Sequence, residues 1–277
     1  MSAIINTNVS SLTAQKNLSA STNKLATSVQ RLSSGLRVNS AKDDAAGLAV
    51  SEKLRAQIAS VVVAIRNSQD GISLAQTTEG GMDEIGKILV RMRELSEQAA
   101  NGTLQDKERL ALDTEYQQLR SEIDRIAEVT EFNGVKMLNG NMSAGGVTLQ
   151  VGFQNTTNDR ISFFSGVAAT KVAELSLATD ISTAGSAQSN LDSVTSAIET
   201  VATNRGTLGA VMNRLEATIS NLRVTHENLS AAESAIRDAD FALEASTFIR
   251  NQILVQAGTS MVAQANMLPQ SALSLLQ

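Results

Sequence analysis

Leu215, Leu222, Leu229, Ile236 and Leu243 stand seven residues apart, with Ile219 between them. A seven-residue repeat gathers these side chains on one stripe of an α-helix, and the stripe is buried only when a second helix lies along it. Thr247, Leu254, Met261 and Leu268 resume the spacing after a four-residue shift. Unbroken, this stretch predicts a helix of about 80 residues, close to 120 Å at roughly 1.5 Å per residue. A helix that long needs a partner of similar length elsewhere in the chain.

The beginning of the chain offers one. From Leu18 the positions Leu18, Thr22, Leu25, Val29, Leu32 and Leu36 step by three and four, a coiled-coil-like seam. A second segment, about 45–100, carries Leu54, Ile58, Val61, Ile65, Ile72, Met82, Ile85, Leu89, Met92 and Leu95. It reads as one long helix, with Gly80 and Gly81 the place for a bend because each weakens a helix by roughly 1 kcal/mol against Ala. Asn101-Gly102-Thr103 is a turn, and Leu112, Tyr116, Leu119, Ile123 and Ile126 return antiparallel to the helix before it. Asn133-Gly134 and Asn139-Gly140 are turn signals; Val147, Leu149, Val151 and Phe153 then alternate, followed by Ile161 and Phe163. One small β-hairpin region is expected at about 135–165. The expected fold is mainly α, a long antiparallel bundle or coiled coil formed by the N- and C-terminal segments.

Composition supports long helices and removes most chemistry. The 277 residues hold one Pro, one Tyr, no Trp and no Cys, so the core is built from Leu, Ile, Val, Ala and Met. Without cysteine there is no disulfide, thiolate metal site or thiol nucleophile. The single His226 falls on the helical seam and reads as a core or interface side chain. No phosphate loop, paired-histidine motif or nucleophile elbow occurs, so neither a cofactor nor catalysis is expected. The net charge of −5 argues against nucleic acid as a partner. Residues 251–277 lack any ionisable side chain, yet Gln252, Gln256, Ser260 and Gln264 interrupt the run every four positions, so it does not read as a membrane span. The first residues have neither the basic start nor the apolar run of a signal peptide.

The stretch SSGLRVNSAKDDAAGLAVS, residues 33–51, sets Asp43 beside Asp44. The pair could be a catalytic dyad, but the neighbours suggest a helix stop and restart. Gly35 suits a left-handed terminating position. Ser40 then reads as the N-cap, with Asp43 as its capping-box-like partner and both aspartates in the first turn. Gly35, Ser40, Asp43 and Asp44 thus mark an inter-domain hinge.

Several long motifs, in order, carry a family resemblance. The segments INTNVSSLTAQKNLSASTNKLATSVQRLSSGLRVNSAKDDAAGLAVSEKLRAQI, QTTEGGMDEIGKILVRMRELSEQAANGT, EIDRIAEVTEFNGVKML and QANMLPQSALSLLQ resemble those of bacterial flagellins. Only the middle, about 166–187, lacks such motifs and leaves no room for a large outer variable domain.

The resemblance implies a structural subunit, not an enzyme, that assembles with copies of itself into the helical tube of the flagellar filament. It implies that residues 1–42 and 236–277 form a coiled-coil inner domain lining the filament channel, which folds on assembly, and that 43–235 form the outer helical core domain with its hairpin. Other implied partners are an export chaperone, the flagellar secretion apparatus, and the filament cap and hook-junction proteins. The implied location is outside the cell. A second reading with similar chain ends is the hook-filament junction adaptor. By the same resemblance, Arg91, Leu95 and Glu115 correspond to the patch read by the host Toll-like receptor for flagellin. Leu273, Leu275 and Leu276 correspond to leucines bound by a cytosolic innate immune receptor. Arg91 and Leu95 are one helical step of four apart and are expected on one face.

Overall fold

The computed structural model describes residues 7–140, 146–163, 170–178 and 180–274, the stretch 268–274 by its backbone only. Five long helices dominate: α1 Val9–Ser34, α2 Ala45–Ala99, α3 Asp106–Val129, α4 Ala184–Arg237 and α5 Phe241–Ser274. The contacts divide the chain into one unit of Met1–Ile58 with Asn228–Gln277 and a second of Ala59–Glu227. The borders fall inside α2 and α4.

In the first unit α1 and α5 run antiparallel. Asn8 begins α1, accepting the Ser11 N–H at 3.1 Å, and its amide donates to the Ala265 carbonyl at 2.8 Å. At the other end Arg31 meets Glu244 at 3.5 Å. The stripe of α1 turned to its partner is Ala14, Leu18, Ser21, Leu25, Ser28 and Leu32, small and large in alternation. That of α5 is Phe248, Asn251, Val255, Gly258, Val262 and Ala265, again alternating. Large residues meet small ones: a Cβ on Gly258 would lie 3.0 Å from Leu18 Cδ1. This alternation lets the backbones approach closely and sets which faces meet.

Both expected seams therefore need correction. Thr22 and Val29 face outward in α1. In α5 the Leu254 and Met261 stripe is exposed, at 48% and 62%, and the buried stripe lies one residue further on. α5 carries apolar residues on several adjacent stripes, and only the small-residue pattern of both helices selects between them.

The expected continuous C-terminal helix is broken at Asp238–Asp240. Asp238 N makes the last bond of α4, to Ser234 O at 2.8 Å. The Asp240 carboxylate then accepts the Ala242 and Leu243 N–H groups at 2.9 and 3.1 Å, capping α5. An aspartate carboxylate competes with the helix for its main-chain amides, so Asp240 starts a new helix where the main chain at Asp238 bridges to Leu36.

The second unit packs residues 59–99 of α2, α3 and residues 184–227 of α4 around a common core. One buried stripe of α2 keeps a three-four alternation, Val61, Ala64, Ser68, Gly71, Ala75, Thr78, Met82, Ile85, Leu89, Met92, Ser96 and Ala99, with Leu74 and Leu95 buried beside it. The hydroxyls among them donate to their own helix one turn back, as Ser68 does to Ala64 O at 2.8 Å, which makes them tolerable in an apolar stripe. α2 stays helical through Gly80 and Gly81. Gly81 is required by close packing, since a Cβ there would sit 2.8 Å from Thr130 Oγ1 and 2.9 Å from Leu138 Cδ1.

A β-hairpin lies where one was expected, within 135–165, and among the described residues a shorter one precedes it. β1 Glu131–Phe132 and β2 Val135–Lys136 pair across Asn133-Gly134, both with positive φ (51° and 77°), the geometry a two-residue hairpin turn demands. β3 Val147–Gln150 pairs with β4 Arg160–Phe163 in the register Val147 to Phe163 and Leu149 to Ile161, so the expected alternating residues share one face. Gly71 admits that face: a Cβ there would lie 2.4 Å from Leu149 Cδ1.

Candidate assembly surface and hinge

The connector between α1 and α2 is built as two successive devices. Gly35, left-handed at φ 70°, ends α1 and donates to Arg31 O at 2.8 Å. The Asp43 carboxylate then folds back to accept Asn39 N, Ser40 N and the Ser40 hydroxyl at 3.3, 2.9 and 2.9 Å. These bonds, those from Ser40 first, hold its carboxyl below the usual carboxylate range. Asp44 caps α2, accepting Gly47 N at 2.8 Å, and the helix begins at Ala45. The expectation that Ser40 caps α2 with both aspartates in its first turn is thereby corrected. Asp43 closes a turn before the helix, and Asp44 is the cap.

This connector is clasped to the α4–α5 connector within the same unit. Arg37 N donates to Arg237 O at 2.7 Å and Ala239 N to Gly35 O at 2.9 Å, a short antiparallel bridge centred on Leu36 and Asp238. The Arg37 guanidinium reaches the end of α4, donating to Ile236 O at 2.6 Å and satisfying a carbonyl that the helix leaves open. Arg237 in turn meets Glu52 of α2 at 3.0 Å, and Val38 is buried beneath the bridge.

Pairing α1 with α5 covers only one stripe on each. Leu12, Val29, Phe241, Leu243, Ile253 and Met261 remain exposed. Large apolar side chains left uncovered along both helices are the kind of surface that another chain covers. The stripe of Gln252, Gln256, Ser260 and Gln264 is exposed as well.

In the second unit Arg91 is fixed between two carboxylates, Glu115 Oε1 at 2.9 Å and Glu94 Oε2 at 3.0 Å. These bonds, that to Glu115 first, raise its already high pKa. Leu95 does not join them: it is 1% exposed and lies in the core. One step of four turns a helix by about 40° beyond a full turn, and here that carries the side chain from the surface to the buried stripe. Leu275 and Leu276 lie outside the described residues, and of Leu273 only the helical backbone is described. His226 is half-buried.

Nothing in this geometry resembles a reaction centre. Asp43 and Asp44 are occupied with backbone amides and the Ser40 hydroxyl. A cleft of about 450 Å³ between the β3–β4 hairpin and α4 is lined by Phe153, Asp159, Ile161, Arg214, Asn221 and Leu222. Its one carboxylate is held by the Thr156 hydroxyl. Among the described residues no cluster of His, Asp or Glu is fit to hold a metal ion, and no helix is long and apolar enough to cross a membrane.

Comparison with known proteins identifies the family. The bacterial flagellin N-terminal helical region matches residues 5–143, and the bacterial flagellin C-terminal helical region matches 191–276. The chain is 46% identical over 274 residues to the flagellin of Halalkalibacterium halodurans, covering 99% of this chain and 100% of that one. It is 42% identical to the flagellin of Xenorhabdus nematophila, each chain fully covered, and 41% identical to the flagellar filament 30.7 kDa core protein of Treponema maltophilum, 99% of each covered. A flagellar hook-associated protein of Vibrio parahaemolyticus shares the fold at a TM-score of 0.58 over 71% of this chain and 100% of that one, at 15% identity. The relatives matched end to end are flagellins and filament core proteins, which does not favour the junction-adaptor reading. Flagellins are structural proteins, components of an extracellular filament and not enzymes. With both helical ends matched and whole relatives aligned from end to end, this chain belongs to the bacterial flagellins and is a subunit that polymerises with its own copies into the flagellar filament.

Proposed function

We propose that residues 1–42 and 236–277 form the inner, channel-lining part of the filament, that 43–235 form its outer core domain, and that the segment from Gly35 to Asp44 is the hinge between them. The observation that carries this reading is the uncovered apolar surface on α1 and α5. A two-helix pair buries too little to be stable alone, so copies of the chain supply the missing cover. The exposed Gln and Ser stripe of α5 is suited to a channel wall, being neither charged nor greasy toward a passing chain. The subunit leaves the cell unfolded through the flagellar secretion apparatus, accompanied by an export chaperone, and joins the filament beneath the cap, beyond the hook-junction proteins. Limited proteolysis tests the reading: free protein should lose both ends near residues 40 and 240, while filaments protect them. Ends equally resistant in both states would refute it.

Host receptors read two patches, one in the second unit and one at the C-terminal end. Arg91, held by Glu115, presents a preformed charged patch to the Toll-like receptor, while Leu95 supports that patch from the core. The C-terminal Leu273, Leu275 and Leu276 engage the cytosolic receptor. Arg91→Ala should weaken receptor binding at unchanged thermal stability, and unchanged binding would refute the assignment.

A further inference from the structure

We propose that Asn101 is a self-modification site, converting to aspartate and isoaspartate through a cyclic imide with Gly102. The α2–α3 turn supplies each element of that reaction. The nucleophile is the Gly102 amide nitrogen. Its N–H meets no acceptor among the described residues, both residues are exposed, and a Cβ on Gly102 would touch nothing within 4 Å. The electrophile is Asn101 Cγ. Its Oδ1 accepts Thr103 N at 3.1 Å, which polarises the side-chain carbonyl and curls it forward over the Gly102 peptide.

The activation is completed by Arg109. Its side chain is nearly buried and fixed by Nε to Ala99 O at 2.9 Å and by Nη1 to Asp106 at 3.2 Å. Nη2 then donates to the Asn101 main-chain carbonyl at 3.0 Å. A cation on that oxygen draws density from the Asn101–Gly102 peptide and makes the Gly102 N–H more acidic. The Gly102 proton passes to solvent base, the nitrogen–Cγ bond forms, and the Cγ–Nδ2 bond breaks with the nitrogen leaving as ammonia, protonated from water. Water then opens the ring. Attack at Cγ leaves aspartate, and attack at the main-chain carbonyl leaves isoaspartate, with an extra methylene in the backbone and a carboxylate beside Arg109.

Asn133-Gly134 provides an internal comparison. It has the same dipeptide, but Asn133 is locked left-handed in a two-residue turn between paired strands, so ring closure there has to unwind the hairpin. The whole protein is incubated in mildly alkaline buffer at physiological temperature, folded and in strong denaturant, and both sites are followed by peptide mass and isoaspartate-specific methylation. Folded protein should convert Asn101 at no less than its denatured rate, with Asn133 suppressed roughly tenfold or more, the rate equivalent of about 1.4 kcal/mol in a barrier. Arg109→Lys should slow Asn101 roughly tenfold when folded, about the net value of one hydrogen bond, and leave the denatured rate unchanged. Should that variant fail to fold, the folded-against-denatured comparison decides alone. Protection of Asn101 by folding, or a folded Arg109→Lys protein converting at the parental rate, overturns the assignment.

Discussion

Asn190 offers the sharpest test of how the second unit is held together. Its side chain is fully buried in α4 and accepts the Tyr116 hydroxyl of α3 at 3.0 Å and the Ala178 N–H at 3.3 Å. It also donates to Ser96 Oγ of α2 at 2.8 Å. One amide thereby joins three helices and a loop. Asn190→Ala strands the Ala178 amide and leaves Tyr116 with only a 3.5 Å contact to Ala178 O, while Ser96 keeps its bond to Met92 O. Two weakened donors at about 1–3 kcal/mol each, plus a small cavity, give a loss of roughly 3–5 kcal/mol, a large share of a typical domain's stability. Tyr116→Phe alone removes one bond and should cost about 1 kcal/mol. The decisive quantity is their combination. Once Asn190 is gone the tyrosine hydroxyl is itself the liability, so the double variant should be no less stable than Asn190→Ala. Urea unfolding followed by far-ultraviolet circular dichroism, at fixed dilute concentration so that assembly does not contribute, measures all four proteins. Strict additivity, or a loss below about 1 kcal/mol for Asn190→Ala, would refute the account.

Three further outcomes are expected. Gly80→Ala, where an added Cβ meets nothing, should stabilise α2 by roughly 1 kcal/mol, whereas Gly81→Ala should destabilise by about 1–3 kcal/mol against Thr130 and Leu138; thermal unfolding of both variants distinguishes them. Glu128 is held between Lys136 and Lys171, which lower its pKa from the usual 4.5 to about 2. A depressed folded pKa favours the folded state above the unfolded value, so the stability gap between the parent and Glu128→Gln should be flat above pH 4.5 and close as the pH falls to about 2. Arg37→Ala removes the cap on α4 and loosens the clasp between the connectors. Cleavage by a protease in the Gly35–Asp44 segment of the free protein should quicken, with far-ultraviolet helicity nearly unchanged; an unchanged cleavage rate would show that the main-chain bridge suffices.

Much of the architecture is legible in the residues alone because it rests on local periodicity. The three-four spacing of Met82, Ile85, Leu89 and Met92 in α2, the turn at Asn101, the Gly35 terminator and the alternation of Val147 and Leu149 before Ile161 and Phe163 each follow from chemistry within a few positions, whereas Ile65 and Ile72, expected on the same stripe, are only half-buried beside Ala64 and Gly71. What the sequence leaves open is phase and partnership. Heptads over 215–243 and 247–268 read equally well as one helix, and only the Asp240 carboxylate taking the Ala242 and Leu243 amides, with Leu36 and Arg37 lying across the gap, breaks it at the clasp. Several stripes of α5 are equally greasy, so Phe248, Val255 and Val262 became the seam because Ala14, Ser21 and Ser28 of α1 leave room for them. Leu95 and Arg91 share a helical step on paper, yet the core claims one and two carboxylates the other. Periodicity is a property of one chain segment and determined which segments are helical. The face each helix buries depends on the shape of what it meets, and only the tertiary structure decided that.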